Sequence, residues 1–420
     1  LSVFIGCSSI INYKATQTSP KITYEKNTIN TLSKKASIKN LENTNNLSKQ
    51  FLEKYFQPWS MDKLSIKKDE ARWALNYKNQ NIYLQNHKKA PSLWFEKQEK
   101  NANFQNYNKN VKKAITIENT NVRALPTNQM MFKNPKDAGE GFPFDYNQNS
   151  FIKINTPILV SHLSKDKAWA FIETSSYSGW IETDSIAYVK ESFINKFKTQ
   201  NYYIATKDDF AIYENSFFKE YIKLSTLFPF KNNKYLLATK GANHYAKISQ
   251  IEIKSSHISK FPIKFNKTNI EKISYELLDE PYGWGGILGK RDCSSFTKDY
   301  FAVFGKYLNR NSKAQLKDGK YFDISKLSNK QKKVFLVQNA TPFRTLVYLK
   351  GHIMIYVGVK DGEPLVMHNI WGLKLNTLLN KEYRHIIGKA TITTLEPAKF
   401  LKDFDKKNSI LSKVEGIVLL

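Results

Sequence analysis

Cysteine is nearly absent from this chain. Its 420 residues hold two, Cys7 and Cys293. Two thiols allow at most one disulfide bond, which excludes a disulfide-stapled scaffold. No cysteine–histidine cluster has zinc-finger spacing, and no two histidines are spaced as in His-x-x-x-His. The sequence therefore predicts neither a metal site nor any other cofactor.

Acidic residues and long apolar runs are also scarce. The chain has 37 Asp and Glu against 65 Lys and Arg, a net charge of +28. Such a charge favours polyanions, either nucleic acid or an anionic cell envelope, although a Lys- and Asn-rich composition also describes a merely solvated surface. The lysines are scattered and no RNA-recognition motif is present, so we expect no nucleic-acid partner. No stretch after the N-terminus approaches the roughly 18 apolar residues of a membrane span, so we expect a soluble protein apart from any lipid anchor.

The N-terminus carries the first thiol. In Leu1-Ser-Val-Phe-Ile-Gly-Cys7, an apolar stretch ends on a glycine and a cysteine. This resembles the end of a bacterial lipoprotein signal, whose cysteine accepts lipid. Residues 1–7 are then the remnant of a signal peptide, and Cys7 is a candidate anchor. The alternative is an apolar N-terminal segment without that role.

Length and composition predict several domains. A content of 41% hydrophobic and 14% aromatic residues is enough for more than one core, and 420 residues correspond to two to four domains. Residues 8–45 are rich in Asn, Thr, Ser and Lys, which predicts a flexible linker. Residues 46–112 show helical spacing of apolar side chains, first interrupted at Pro58.

Strand patterns follow the helical segment. Residues 113–195 and 196–260 each contain strand-like runs at a spacing of roughly 8–12 residues, which is typical of small barrels. Residues 261–420 show an α+β pattern. Its strand-like runs are Leu346-Val-Tyr348, His352-Ile-Met-Ile-Tyr-Val357, Glu363-Pro-Leu-Val-Met-His368 and Ala390-Thr-Ile-Thr393.

Cys293 has the sequence surroundings of a nucleophile. Asp292 is a good helix N-cap, and Phe296, Tyr300 and Phe304 follow at helical spacing. A thiol in the first turn of a helix meets the positive end of the dipole, which favours thiolate, and free N–H groups that can receive an oxyanion. Taken alone, the residue could equally be a small buried hydrophobe.

Two histidines supply what such a thiol needs. His352 opens one predicted strand, and His368 ends the next, across the turn Lys360-Asp-Gly-Glu363. Antiparallel pairing of the two strands would bring both rings together. A nucleophilic thiol requires a base, and the base requires an orienting partner. Either histidine alone could be structural, but the three residues together predict catalysis.

Several motifs resemble the NlpC/P60 family of papain-like cysteine peptidases. They are Asp292-Cys-Ser-Ser295, Gly351-His-Ile-Met-Ile-Tyr-Val-Gly358 and Met367-His-Asn369. Arg310-Asn-Ser-Lys-Ala-Gln315 and Phe142-Pro-Phe-Asp-Tyr146 are similar to the branch with an N-terminal helical clip and two bacterial SH3-like domains. The resemblance implies a multidomain fold, in which an α+β papain-like domain, residues 261–420, follows a helical segment and two SH3-like β-barrels.

The resemblance also implies an activity. The family cleaves the γ-D-glutamyl–L-diamino acid bond of peptidoglycan stem peptides through a thioester. By analogy Cys293 attacks, His352 is base and then acid, and His368 orients it. The resemblance implies six substrate-binding residues: Tyr282, Trp284, Asp292 and Ser294 in the peptidase domain, and Asp145 and Tyr146 in the first SH3-like domain. Tyr282 would also lie next to the oxyanion that forms on the substrate. For Asp145 and Tyr146 a plain turn is the alternative.

Two cations directly before Asp292 have two possible roles. Lys290-Arg291, where apolar or small residues are commoner, could favour thiolate and attract a substrate carboxylate, or be exposed and idle. We expect a monomer that acts on stem peptides or muropeptides in the periplasm or cell envelope. The alternatives are a non-catalytic wall-binding protein and a thiol amidase or transpeptidase acting on the same peptides.

Overall fold

The computed structural model describes residues 22–36, 38, 44–376 and 382–420; Cys7 lies outside these residues. The N-terminal helical segment comprises α1 (Thr28–Lys35), α2 (Thr44–Phe56), α3 (Lys68–Ala71), the short strand β1 (Tyr83–Leu84) and α4 (Ser92–Ala102). Within the described ranges no helix has the length and apolar character to cross a bilayer.

Helix α1 contradicts the predicted linker of residues 8–45. Ile29 and Leu32 are spaced i, i+3 and therefore lie on one face of the helix. Both are buried in the core shared with the C-terminal domain, with 0% and 2% of their surface exposed. Tyr24 extends this contact, because its backbone N–H donates to the carbonyl of Ile392 at 2.9 Å. Composition alone predicted a tether because polar residues outnumber the few apolar side chains that anchor this segment.

The first β-domain is an antiparallel sheet that is buried on both faces. Its strands are β2 (Lys112–Thr116), β3 (Thr120–Arg123), β4 (Met131–Phe132), β5 (Gln148–Ile152), β6 (Pro157–Leu163), β7 (Trp169–Glu173), β8 (Ser178–Glu182) and β9 (Ile186–Tyr188). The sheet order is β5-β3-β8-β7-β6-β2-β9, and β4 pairs with β1. In β7, Ala170 and Ile172 belong to the core of the domain itself. Trp169 and Phe171 instead pack in the cluster formed with the N-terminal helical segment, so that segment covers the outer face of the sheet.

A second antiparallel β-domain follows helix α5 (Glu191–Phe197). It contains β10 (Asn201–Ala205), β11 (Phe210–Glu214), β12 (Phe217–Ile222), β13 (Leu227–Lys231), β14 (Lys234–Lys240), β15 (Ala246–Ile251) and β16 (Ile258–Lys260). The sheet order is β15-β14-β13-β10-β16, with β11–β12 as a separate hairpin. Asn232 and Asn233, at φ 51° and 58°, form the tight turn between β13 and β14. That this domain is SH3-like stays a prediction.

The C-terminal domain places helices on both faces of one antiparallel sheet. It contains α6 (Lys267–Leu277), α7 (Cys293–Ala302), β17 (Lys320–Asp323), α8 (Asn329–Asn339), β18 (Thr345–Leu349), β19 (His352–Lys360), β20 (Glu363–Asn376), β21 (Glu382–Thr394), α9 (Ile410–Lys413) and β22 (Val414–Leu419). The sheet order is β17-β22-β18-β19-β20-β21. Along β19, Ile353 and Ile355 pack in the core with α7, whereas Met354 and Tyr356 pack in the core with α8. This alternation keeps the start of β19 close to the start of α7.

Candidate active site

Cys293 is the first residue of helix α7. Asp292 caps the helix in extended conformation: its Oδ1 accepts the backbone N–H of Ser295 at 2.8 Å, and Ser295 Oγ accepts the N–H of Asp292 at 2.9 Å. This capping box fixes the first turn. Cys293 is buried, with 7% of its surface exposed. Its Sγ lies 4.0 Å from the carbonyl oxygen of Gly351, the residue before His352.

The thiol is not ionised at rest. Burial, with the charge of Asp292 as the second cause, raises the pKa of Cys293 to about 12. The start of the helix acts in the expected direction, because the backbone N–H of Ser294 lowers the pKa, but burial outweighs it. Arg291 does not stabilise a thiolate at Cys293 either, because its guanidinium binds Asp208 and other buried carboxylates. Lys290 pairs with Asp209 at 3.1 Å.

A chain of hydrogen bonds orients His352. Its Nε2 lies 2.8 Å from Nδ1 of His368, and Nε2 of His368 lies 3.1 Å from Oγ1 of Thr393. The hydroxyl of Thr393 donates onward to the carbonyl of Thr394 at 2.7 Å. Thr393 therefore accepts from His368, and His368 Nδ1 accepts from Nε2 of His352. This assignment leaves Nδ1 of His352 unprotonated, as a general base must be.

Both histidines are neutral at neutral pH. Burial lowers the pKa of His352 to about 4, although the charge of Asp292 opposes the shift. Burial, followed by the neighbouring His352, lowers the pKa of His368 well below its ordinary value. The resting site thus contains a neutral thiol and a neutral imidazole. The proton must therefore leave sulfur as the bond to substrate forms.

Arg310 holds the cap of α7 against the first β-domain. Its Nη1 and Nη2 bind Oδ1 and Oδ2 of Asp292 at 3.0 and 2.8 Å. The same guanidinium donates to Ser294 Oγ at 3.0 Å and to Ser150 Oγ, on β5, at 2.8 Å. Burial is the largest single influence on Asp292 and raises its pKa, but the charge and hydrogen bonds of Arg310, together with the hydrogen bonds from Ser295, lower it overall. Gln315 completes the contact by donating to the carbonyl of Ser294 at 2.9 Å.

The motif of residues 310–315 therefore has a role that the sequence did not reveal. The sequence marked Arg310 and Gln315 only as family features, whereas both bind the first turn of α7. Asp292 and Ser294, predicted to contact substrate, lie at the site but are 9% and 5% exposed and engaged with Arg310. Their geometry suits positioning of the thiol.

Aromatic side chains form one wall of the groove. The ring of Tyr282 lies 6.0 Å from that of Trp371, and Trp284 lies 5.2 Å from Phe144 of the first β-domain. Burial, with Cys293 as the next cause, raises the pKa of Tyr282 well above its ordinary value, so its phenol keeps its proton. Tyr282 can thus donate a hydrogen bond beside the thiol. Trp371 and Phe144 were not among the predicted site residues.

Of the two residues predicted in the first β-domain, Tyr146 joins this wall and Asp145 does not. The ring of Tyr146 lies 6.0 Å from that of Trp284, and its hydroxyl donates to Glu140 at 3.0 Å. Asp145 is 0% exposed, pairs with Arg123 at 2.9 Å and accepts two backbone N–H groups. Its carboxylate fixes the loop from inside, which corrects the predicted direct contact with substrate.

Glycines allow the first β-domain to approach this closely. Gly285 and Gly286 have φ of +58° and +88°. A Cβ on Gly285 would lie 2.4 Å from the carbonyl oxygen of Gln148, and one on Gly286 would lie 2.4 Å from Cβ of Phe151, both in β5. Gln148 also donates to the carbonyl of Gly285 at 3.2 Å. The glycine-rich run before Cys293 is therefore a seam between two domains.

The site opens into a groove of about 390 Å³, lined by residues of both domains. His352, Tyr282, Trp284, Trp371 and Phe144 all line it. The sequence-predicted residues that the structure brings together are Cys293, His352, His368, Tyr282, Asp292, Ser294, Trp284 and Tyr146. Thr393, Trp371 and Phe144 are additions that sequence reasoning missed.

Comparison with known families agrees with this geometry. Three family models match: the N-terminal NLPC_P60 stabilising domain over residues 22–107, an SH3 domain of SH3b1 type over 130–182, and the NlpC/P60 family over 279–387. A comparison with curated proteins gives no match.

A solved structure is similar over most of the chain. An NlpC/P60 endopeptidase from Photobacterium damselae subsp. piscicida is 25% identical with a TM-score of 0.83, covering 92% of this chain and 94% of its own. An NlpC/P60 family protein from Bacillus cereus is 13% identical with a TM-score of 0.44, covering 64% and 81%. The domains matched and the thiol–imidazole site together show a multidomain cysteine peptidase whose catalytic domain is an NlpC/P60 domain.

Proposed function

We propose that this peptidase is a peptidoglycan hydrolase that cleaves the γ-D-glutamyl–L-diamino acid bond of stem peptides through a thioester. The observation that carries the proposal is the hydrogen-bond chain from His352 through His368 to Thr393 beside the Cys293 thiol. A binding module needs no such chain. The likeness to an NlpC/P60 endopeptidase supports the choice of a peptide bond as target.

The proposed reaction has two halves. Cys293 Sγ attacks the γ-glutamyl carbonyl carbon while its proton passes to Nδ1 of His352. The Tyr282 phenol and the free N–H groups at the start of α7 donate to the oxyanion. Collapse breaks the C–N bond, His352 returns the proton to the departing amine, and a thioester remains. Water, deprotonated by His352, then attacks the thioester and releases the acid and the thiol.

The wall from the first β-domain supports a preference for released fragments. Phe144 and Tyr146 pack against Trp284 and limit the groove on that side. A stem peptide with a free N-terminal L-Ala would fit such an end better than one attached to a glycan. We further propose action in the periplasm or cell envelope, where this substrate occurs. The net charge of +28 suits that anionic surface.

The test is hydrolysis of a defined L-Ala-γ-D-Glu-diamino acid tripeptide. Mass spectrometry should find the dipeptide and the free diamino acid with wild-type protein, and neither with Cys293→Ala. Ser325→Ala, on the exposed surface of the same domain, is the matched control and should retain activity. Thermal melting of all three proteins checks that the fold is retained. Equal hydrolysis by Cys293→Ala would refute the proposal.

A further inference from the structure

One part of the groove is strongly basic. Lys350, Lys374, Arg384 and Lys413 all line it, together with His352, and no acidic residue of the described chain does. Lys350 immediately precedes Gly351 and the catalytic base, so this charge lies close to the reacting bond. A cleft that carries one sign of charge attracts ligands of the opposite sign.

Two of these four cations have no protein counter-ion within the described residues. Lys374 and Arg384 share a single carboxylate, Glu382, which Arg384 Nη2 binds at 2.8 Å. Within the residues that the structure describes, Lys350 and Lys413 are exposed and form no ion pair with a carboxylate. Two of the four cations thus share one directly bound carboxylate, and the other two have none.

A second acid lies beside Lys374. Asp405 approaches Lys374 closely enough to interact with its charge. Its carboxylate also accepts hydrogen bonds from the side chains of Asn376 and Asn408, at 2.8 and 2.5 Å, and these neutral amides leave its negative charge in place. Glu382 and Asp405 therefore compensate Lys374 and Arg384, and the uncompensated charges are those of Lys350 and Lys413.

Arg384 also reaches the first β-domain. A Cβ on Gly139, whose φ is +81°, would lie 2.7 Å from Nε of Arg384. The positive φ favours glycine here, and the missing Cβ lets the guanidinium pack directly against the backbone. The basic part of the groove is therefore built across the same domain boundary as the aromatic wall.

We propose that Lys350, Lys374, Arg384 and Lys413 form a carboxylate-binding subsite that makes the enzyme selective for anionic peptides. This inference rests on the proposed function. A stem peptide offers two sources of such a carboxylate, the α-carboxylate of the D-glutamyl residue and a carboxylate on the side chain of the diamino acid. Lysine in place of a carboxylated diamino acid would bring only a further positive charge into the groove.

Three tripeptides distinguish these sources. The first is L-Ala-γ-D-Glu joined to a diamino acid with a side-chain carboxylate; the second has the α-carboxylate as an amide; the third has lysine. We expect kcat/KM to fall about tenfold for the peptide that lacks the carboxylate bound by the subsite. Added salt should lower kcat/KM for the first peptide and much less for the poor substrate, because screening acts on charge pairs.

Variants tie the selectivity to the subsite. Lys350→Met combined with Lys413→Met should lower kcat/KM for the first peptide by about tenfold and leave the poor substrate nearly unchanged. Lys330→Met, an exposed lysine on α8 outside the groove, is the matched control and should behave as wild type. A loss shared equally by all three peptides would point to a general defect and overturn the proposal.

The outcomes separate this inference from the proposed function. Equal, salt-independent cleavage of all three peptides would overturn the subsite and leave the hydrolase intact. Cleavage of none of them would overturn the proposed function and the subsite with it.

Discussion

Cys293 and His352 lie in surroundings that disfavour their charged forms. Burial is the main cause for both, and Asp292 adds to it for the thiol while opposing it for the imidazole. In the neutral pair, Cys293 carries its proton on sulfur and Nδ1 of His352 is free to accept it. Activity then requires that His352 is unprotonated, and it does not require that Cys293 ionises before the reaction.

This predicts an unusual pH profile. The pKa of free histidine is near 6.5, but that of His352 is lowered to about 4. The base therefore stays neutral as pH falls through 6.5, and kcat/KM should hold until pH approaches 4. Because the pKa of Cys293 is raised to about 12, no activating step should occur between roughly pH 7 and 9. Initial rates with the tripeptide substrate, measured across this pH range, test both the acid limb near pH 4 and the absence of a step between roughly pH 7 and 9.

Stability must be followed over the same range. The folded protein does not bind a proton at His352 until about pH 4, whereas an unfolded chain binds one below about 6.5. Stability contributed by this group is thus lost as pH falls through that window, and circular dichroism should confirm that the enzyme is still folded at each point. An acid limb centred near 6.5 in folded protein would contradict the prediction.

For single residues, the sequence predicted which side chains take part in catalysis better than it predicted how buried they are. Cys293, His352 and His368 could be found because helix and strand patterns place them locally. Thr393 could not, since it meets His368 only through the pairing of β20 with β21, 25 residues along the chain. The ionisation of Cys293 was misjudged because a position at a helix N-terminus does not reveal how deeply the thiol is buried.

Among the secondary-structure elements, α7 is held to the first β-domain through Arg310, which pairs with Asp292 and donates to Ser150 of β5. Both residues are buried, with 9% of the surface of Asp292 and 8% of that of Arg310 exposed. Removing one partner of such a pair leaves an uncompensated buried charge, which costs about 3–5 kcal/mol. We expect Arg310→Met to lower the melting temperature by roughly 10 °C. Combining it with Asp292→Asn should cost less than the sum of the single variants.

A half-exposed ion pair provides the control. Arg72 binds Glu99 at 2.7 Å, with more than a third of each side chain exposed. Arg72→Met should change stability by about 1 kcal/mol or less, because solvent screens such pairs. Additive effects of the Arg310 and Asp292 variants, or an equal loss in Arg72→Met, would argue against the bridge.

Element prediction succeeded where the pattern was regular. The strand-like runs near residues 346, 352, 363 and 390 correspond to β18, β19, β20 and β21. Strand β20 continues to Asn376, past an irregularity between Ile370 and Gly372 that breaks the alternation. Helix α1 was missed because its burial depends on a surface that a distant domain provides.

Across the whole molecule, Arg291 joins three parts of the chain. Its guanidinium binds Asp208 of the second β-domain at 2.9 Å, Glu280 at 2.6 Å and Asp299 of α7 at 2.7 Å. Asp299 in turn binds Lys153, just after β5 of the first β-domain. The sequence left the role of Arg291 open, because Asp208 lies 83 residues away and only the domain arrangement brings it near.

Loss of this cation should loosen the docking of the domains. Arg291→Met leaves Asp208, Glu280 and Asp299 buried with less positive charge beside them, a cost of several kcal/mol. We expect a lower melting temperature and faster limited proteolysis between the second β-domain and α6. Arg291→Lys should recover only part of the stability, since one ammonium cannot reproduce the fork that reaches all three carboxylates.

The neighbouring Lys290 makes this a controlled comparison. It is 29% exposed and pairs mainly with Asp209, so Lys290→Met removes the same charge without stripping the buried cluster. Its melting temperature should stay close to that of wild type, because a partly exposed pair contributes little. If Arg291→Met melted and resisted protease as Lys290→Met does, domain docking would not depend on the cluster. The seam that brings the aromatic wall to Cys293 would then be maintained by Arg310 and the glycine contacts of β5.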